Sequence, residues 1–139
     1  MSFQLDEFLP YRLSVAAAQI SRRFAARYAQ EAGLTIPEWR VLAHLDHSGA
    51  VSVRDIHARV NLDKSMVSRA ATRLEQAGLL RKDGHRTDRR LIVLELTDEG
   101  RDLMLRLGRI ATQFQDELLA ELGKDGPALR RALAQLSDG

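Results

Sequence analysis

Five side chains in one short stretch carry the densest chemistry in the sequence: Ser65, Ser68, Arg69, Thr72 and Arg73. They recur at steps of three and four, which places them on one side of a helix, opposite Val67, Ala70, Ala71 and Leu74. Short hydroxyls and guanidinium forks are donors that suit phosphate oxygens and guanine edges. A second concentration lies in Asp83-Gly84-His85-Arg86-Thr87-Asp88-Arg89-Arg90, where Asp-Gly marks a turn between two strand-like runs. Residues 52–92 hold ten Lys and Arg against five Asp and Glu, a local charge of +5 within a chain whose formal charge is +2. The flanks therefore carry −3, an asymmetry expected where one region meets a polyanion. Singly, Arg69 and Arg73 could solubilise a helix or pair with Glu75 and Asp88. The agreement of helix face, basic turn and local charge favours nucleic acid.

The elements that must position these groups follow from periodicity and capping. Leu13, Ala16, Ala17, Ile20, Phe24 and Tyr28 predict an amphipathic helix over about residues 8–30, with Pro10 in its first turn. Thr35-Ile36-Pro37-Glu38 supplies an N-cap, an early proline and a capping-box glutamate for a second helix bearing Trp39, Val41, Leu42 and Leu45. Ser52 starts a short third helix, Asn61-Leu62 is a turn, and Asp63 caps the fourth helix, which carries the basic face and stops at Gly78. Residues 79–82 and 91–96 read as a hairpin with a long basic tip. Thr97, with Asp98 and Glu99 at the positive end of its dipole, opens a long helix carrying Leu103, Leu107, Ile110, Ala111, Phe114, Leu118 and Leu122. Gly123 and Gly126-Pro127 break it before a last helix with Leu129, Leu133 and Leu136.

The expected fold is mainly α with a small β-hairpin wing: a winged helix-turn-helix with N- and C-terminal dimerisation helices. A single chain of 139 residues divides into a winged lobe at 34–97 and a helical dimerisation region at 8–31 and 98–137. In this arrangement the second helix of the pair enters the DNA major groove and the hairpin tip reaches the backbone or minor groove. With 45% hydrophobic and 29% charged residues the chain reads as a folded soluble protein rather than a disordered or fibrous one. The absence of cysteine excludes disulfides, thiolate metal sites and thiol-based peroxide sensing. No apolar run is long enough for a membrane span, and the acidic N-terminus is unlike a signal peptide, so a cytoplasmic location is expected.

The run "LDKSMVSRAATRLEQAGLLRKDGHRTDRRLIVLELTDEG" resembles the DNA-binding core of the MarR family of bacterial transcription regulators. Asp88-Arg89-Arg90, five residues, then Leu96-Thr97-Asp98-Glu99-Gly100 is similar to the family's wing pattern, D-x-R followed by L-T-x-x-G. The resemblance implies that Arg90 is the wing arginine of the minor groove and that Asp88 holds the wing by pairing with basic neighbours. Asp88 as an ordinary turn aspartate is the alternative. Arg86 and Arg89 are then phosphate contacts. A guanidinium at a hairpin tip also suits a narrow, electronegative groove on physical grounds. The resemblance further implies a homodimer on a pseudo-palindromic double-stranded operator, with the apolar first and last helices packed across a two-fold axis. Those stripes could instead complete the core of one chain.

Many members of that family release DNA when a small, often anionic aromatic molecule binds between the dimerisation helices and the DNA-binding lobe. Such a site needs an apolar concavity and a cation, for which Tyr11, Arg12, Trp39 and His44 are the candidates. Three of them have a plainer structural reading: Trp39 as a core residue, Arg12 as an interfacial ion-pair partner and His44 as a satisfied structural histidine. His44 and His47 have an i, i+3 spacing around Asp46, but no second cluster completes a metal site, and no cofactor is expected. An enzyme is disfavoured, because no phosphate-cradling loop, nucleophile elbow or zinc-protease helix is present. The rivals that remain are a winged helix for RNA or a protein partner, and a DNA binder that needs no ligand.

Overall fold

The computed structural model describes residues 2–84 and 92–137. Along them, after one 3₁₀ turn at Leu5–Glu7, run α1 (Leu9–Tyr28), α2 (Ile36–Ser48), β1 (Val51–Ser52), α3 (Val53–Arg59), α4 (Lys64–Gln76), β2 (Leu80–Gly84), β3 (Ile92–Leu96), α5 (Asp98–Leu122) and α6 (Asp125–Ser137). Side-chain caps set the helix starts. Thr35 Oγ1 accepts from the Glu38 N–H and Glu38 Oε1 accepts from the Thr35 N–H, both at 3.2 Å. Ser52, Asp63 and Thr97 accept in the same way from Asp55, Met66 and Gly100. Between α3 and α4 the tight turn places Asn61 at φ 57°, a left-handed conformation that asparagine tolerates.

The expected hairpin is β2 and β3, paired antiparallel from Leu80↔Leu96 to Gly84↔Ile92. A further strand, β1, lies along the other edge of β3 through Val51↔Leu94 and Ser52↔Val93. The sequence reading did not anticipate it, because two residues have no usable periodicity and β1 exists only through a distant partner. The hairpin wing is thus part of a three-stranded sheet that spans the entry to α3. Gly126 and Pro127, expected to precede the last helix, lie inside its first turn, where a missing N–H costs little.

The core gathers Val41, Leu42 and Leu45 of α2, Ile56 of α3, Val67, Ala71 and Leu74 of α4, and Leu80 and Leu94 of the sheet. Tyr28 from α1 and Leu103, Met104 and Leu107 from α5 join the same cluster. The outer helices therefore complete the core of one chain with their inner portions. Their remaining apolar surface is open: Leu9 is 69% exposed on α1, and Leu129, Leu133 and Leu136 are all exposed on α6. Helix α5 is seated on the lobe by a close backbone approach. Gly100 lies so near Leu79 that a Cβ there would sit 2.0 Å from the Leu79 carbonyl oxygen. Thr97 reinforces the seat, its N–H donating to Leu79 O at 3.2 Å and its hydroxyl to Gly78 O at 2.6 Å.

Candidate nucleic-acid interface

Helix α4 buries Val67, Ala70, Ala71 and Leu74 and turns Ser65, Ser68, Arg69, Thr72 and Arg73 outward. All five expected residues thus share one exposed face. Their polar atoms differ in how far they are already engaged. The Ser65 hydroxyl donates to Asp63 Oδ1 at 2.9 Å, so it belongs to the N-cap. Together with the Met66 N–H, which acts most strongly, that bond holds the Asp63 carboxyl below the usual range, and the Arg69 charge adds to the effect. Thr72 Oγ1 donates back to the Ser68 carbonyl and accepts from Lys82 Nζ, both at 3.0 Å. Arg73 does not pair with Glu75: its Nη1 reaches Glu38 Oε2 at 3.4 Å, and Glu75 faces Lys82 Nζ at 4.0 Å.

Lys82, on β2, therefore ties the root of the hairpin to the exposed face of α4. Sequence reasoning missed it, since only the sheet brings residue 82 beside residues 72 and 75. On the neighbouring strand, Glu95 accepts from Arg81 at 2.7 Å across the Arg81↔Glu95 pair. His85, Arg86, Asp88, Arg89 and Arg90 lie outside the described residues.

The residues expected to hold an effector are only partly brought together. Trp39 and His44, with Arg40, Ala43 and His47 of α2 and Arg59 and Val60 at the end of α3, line a cleft of about 330 Å³. Tyr11 and Arg12 are not among its lining residues; both are exposed on the first turn of α1. Trp39 serves two roles: one side faces the cleft, and the ring packs edge-on to Phe24 at 4.9 Å and beside Tyr28 at 5.7 Å. His44 has its Nε2 buried without a hydrogen-bond partner among the described residues. Desolvation, then the charges of Arg59 and His47, lower its pKa and keep it neutral at pH 7. Arg40 and Arg59 are the arginines at this cleft, and both were overlooked in the sequence: Arg40 stands beside Trp39 but was not singled out, and Arg59 reaches the cleft only through the packing of α3.

A sheet-flanked helix pair with a basic outward face on its second helix defines a winged helix-turn-helix. Residues 34–92 match the model of the MarR family. The regulator MgrA of Staphylococcus aureus is 30% identical over 95 residues, 68% of this chain, and this chain spans only 65% of that relative's length. A MarR family transcriptional regulator from Silicibacter pomeroyi superposes with a TM-score of 0.79 at 25% identity, over 98% of this chain and 100% of its own. NadR, solved in complex with 4-hydroxyphenylacetate, gives 0.80 at 26% identity over 99% of both chains. The match places the winged lobe, residues 34–92, in the MarR family. MgrA and the Silicibacter pomeroyi protein are transcriptional regulators.

Proposed function

We propose that this protein is a homodimeric regulator that binds a pseudo-palindromic double-stranded operator and represses transcription until a small anionic aromatic molecule releases it. The observation that carries the DNA reading is α4 itself. Its apolar stripe is fully seated in the core while Ser68, Arg69 and Arg73 lie on the exposed face, so the helix presents donors to a groove without giving up packing. Arg86, Arg89 and Arg90, with Asp88 as the residue that holds them, supply the second contact at the wing. A protein-binding winged helix would instead expose apolar side chains on α4.

The open apolar residues of α1 and α6 support the dimer, with segments 8–31 and 98–137 as its dimerisation region and 34–97 as the winged lobe. Phe3, Leu9, Leu133 and Leu136 are too exposed for a chain that stays alone in water. The cleft beside Trp39 and His44 supports the effector. It has aromatic and aliphatic walls, two guanidinium groups for a carboxylate, and an imidazole nitrogen, without a partner among the described residues, that can accept from a ligand hydroxyl. Tyr11 and Arg12 can contribute to it only from another chain.

The test is a salt titration of binding to the promoter DNA beside its own gene, repeated with a panel of aromatic acids and their thioesters. The expected result is sequence-specific binding whose affinity falls steeply with salt, and loss of the complex with one class of compound. Absence of binding at low salt would transfer the basic face to RNA or a protein partner.

A further inference from the structure

Glu38 is the one charged residue buried among the described residues, 6% exposed, and its carboxylate is used at both oxygens. One oxygen closes the capping box of α2 by accepting the Thr35 N–H at 3.2 Å. The other accepts from Arg73 Nη1 at 3.4 Å, across 35 residues of sequence. The two partners differ sharply in freedom: the Glu38 side chain is 7% exposed, and that of Arg73 is 64% exposed. A cleft of about 290 Å³ opens above the pair, lined by Thr35, Pro37, Met66, Arg69 and Ala70.

We propose, resting on the DNA-binding reading, that Glu38 is a positioning residue that aims the Arg73 guanidinium at one base pair of the operator. A capping box alone needs only one acceptor oxygen, and a glutamine at this position would supply it. What the carboxylate adds is the second oxygen with its charge, directed at the outward face of α4. An exposed arginine in water samples many rotamers, and ordering it on binding costs side-chain entropy. Tethered through one N–H to a buried, capping-box carboxylate, the guanidinium samples fewer orientations than an untethered one. A fixed fork is what bidentate recognition of guanine O6 and N7 requires. Burial of Glu38 sustains the tether, because its carboxylate has lost water on the protein side and holds the cation it has. The tether also takes Arg73 away from a phosphate role, leaving Arg69, one turn earlier, as the freer contact.

The experiment selects a preferred sequence with the wild-type protein from a randomised duplex library. It then compares wild type, Glu38→Gln, Arg73→Ala and the double variant on that sequence, on each single-base change of it and on unrelated DNA. Thermal unfolding of all four proteins controls for the fold; Glu38→Gln retains the capping box. Glu38→Gln is expected to lose about three- to tenfold in discrimination at a single base pair, the cost of leaving one arginine free to be ordered on binding. Arg73→Ala should lose discrimination at that same base pair, and adding Glu38→Gln to it should change nothing more there. Three results would overturn the proposal. One is wild-type discrimination by Glu38→Gln. Another is an effect of Glu38→Gln that persists undiminished in the Arg73→Ala background, which would mark a diffuse charge effect. The third is tighter and more selective binding by Glu38→Gln, which would mean that Glu38 withholds Arg73 from DNA. If the wild-type protein selects no sequence at all, the DNA-binding reading falls first and the proposal with it, a failure recognisable before any variant is made.

Discussion

Gly100→Ala is a one-methyl change whose sign depends wholly on the seat of α5. In an exposed helix interior, glycine to alanine stabilises by about 1 kcal/mol, through helix propensity and a less flexible unfolded chain. Here the new Cβ would stand 2.0 Å from the Leu79 carbonyl oxygen, 1.4 Å short of ordinary contact at 3.4 Å, and that oxygen is backbone rather than a movable side-chain end. The start of α5 must lift, and lifting it stretches the Thr97 N–H bond to Leu79 O and the Thr97 hydroxyl bond to Gly78 O. Overpacking of this kind costs about 1–3 kcal/mol, and two weakened hydrogen bonds add about 1 kcal/mol each. After the propensity gain is subtracted, the net loss is about 2–4 kcal/mol, a fall in Tm of about 10 °C for a chain of this size. Gly108→Ala in the same helix is the matched control, since nothing lies within 4 Å of its Cβ position. It should raise Tm by a few degrees, following the roughly 0.5–1 kcal/mol expected of an unobstructed site. Thermal unfolding of both variants at one protein concentration decides the matter. A Gly100→Ala protein as stable as wild type would refute the close seating of α5 against the root of β2.

Arg69→Ala and Arg73→Ala should each weaken operator binding by about 1–3 kcal/mol, with relaxed specificity wherever the lost arginine reads a base. Arg90→Ala should lower affinity without lowering Tm; unchanged affinity, measured by fluorescence anisotropy, would remove the wing from the interface. Leu133→Asp, on the open face of α6, should shift the sedimentation of the protein from dimer to monomer while its circular dichroism stays helical. His44 has a folded pKa below its ordinary value of 6.5, so the unfolded chain binds the proton more readily. Stability from the neutral imidazole is therefore complete above that value and is lost as pH falls through it toward the folded pKa. Urea midpoints from about pH 7.5 to 5 should decline less in His44→Gln than in wild type.

What the sequence disclosed is what local chemistry specifies. The four side-chain caps at Thr35, Ser52, Asp63 and Thr97 each bond a backbone N–H three residues on, so a reader of adjacent residues finds them. The face of α4 followed from the helical repeat alone. What stayed hidden depends on groups that meet only after folding. Strand β1 needs β3, forty-odd residues later, to exist. Glu38 reads as a cap because its local partner is three residues away, while its second partner is 35 residues away on another helix. The cleft beside His44 needs α3 to carry Arg59 across α2. Tyr11 and Arg12 fail to join it because the first half of α1 stays off the core among the described residues: Leu13 is 43% exposed, whereas Tyr28, at the other end of the same predicted stripe, is fully buried.

Helix α2 stands between the two proposed sites and has little freedom to serve one without the other. Its core side, Val41, Leu42 and Leu45, is sealed against α4 and the sheet, and Trp39 is wedged among Phe24 and Tyr28. A close-packed helix of this kind shifts as a body or not at all. Arg40, Ala43, His44 and His47 give it one surface toward the cleft, while Glu38 in its first turn reaches Arg73 on α4. A molecule that enters the cleft by displacing α2 must therefore move the carboxylate that holds Arg73. Binding in the cleft alone changes nothing: a ligand that fits both positions of α2 equally well leaves the DNA affinity where it was. Under the proposed function, release needs a ligand that binds more tightly to an arrangement of α2 other than the one that binds DNA. By linkage, DNA must then weaken that ligand by the same factor by which the ligand weakens DNA.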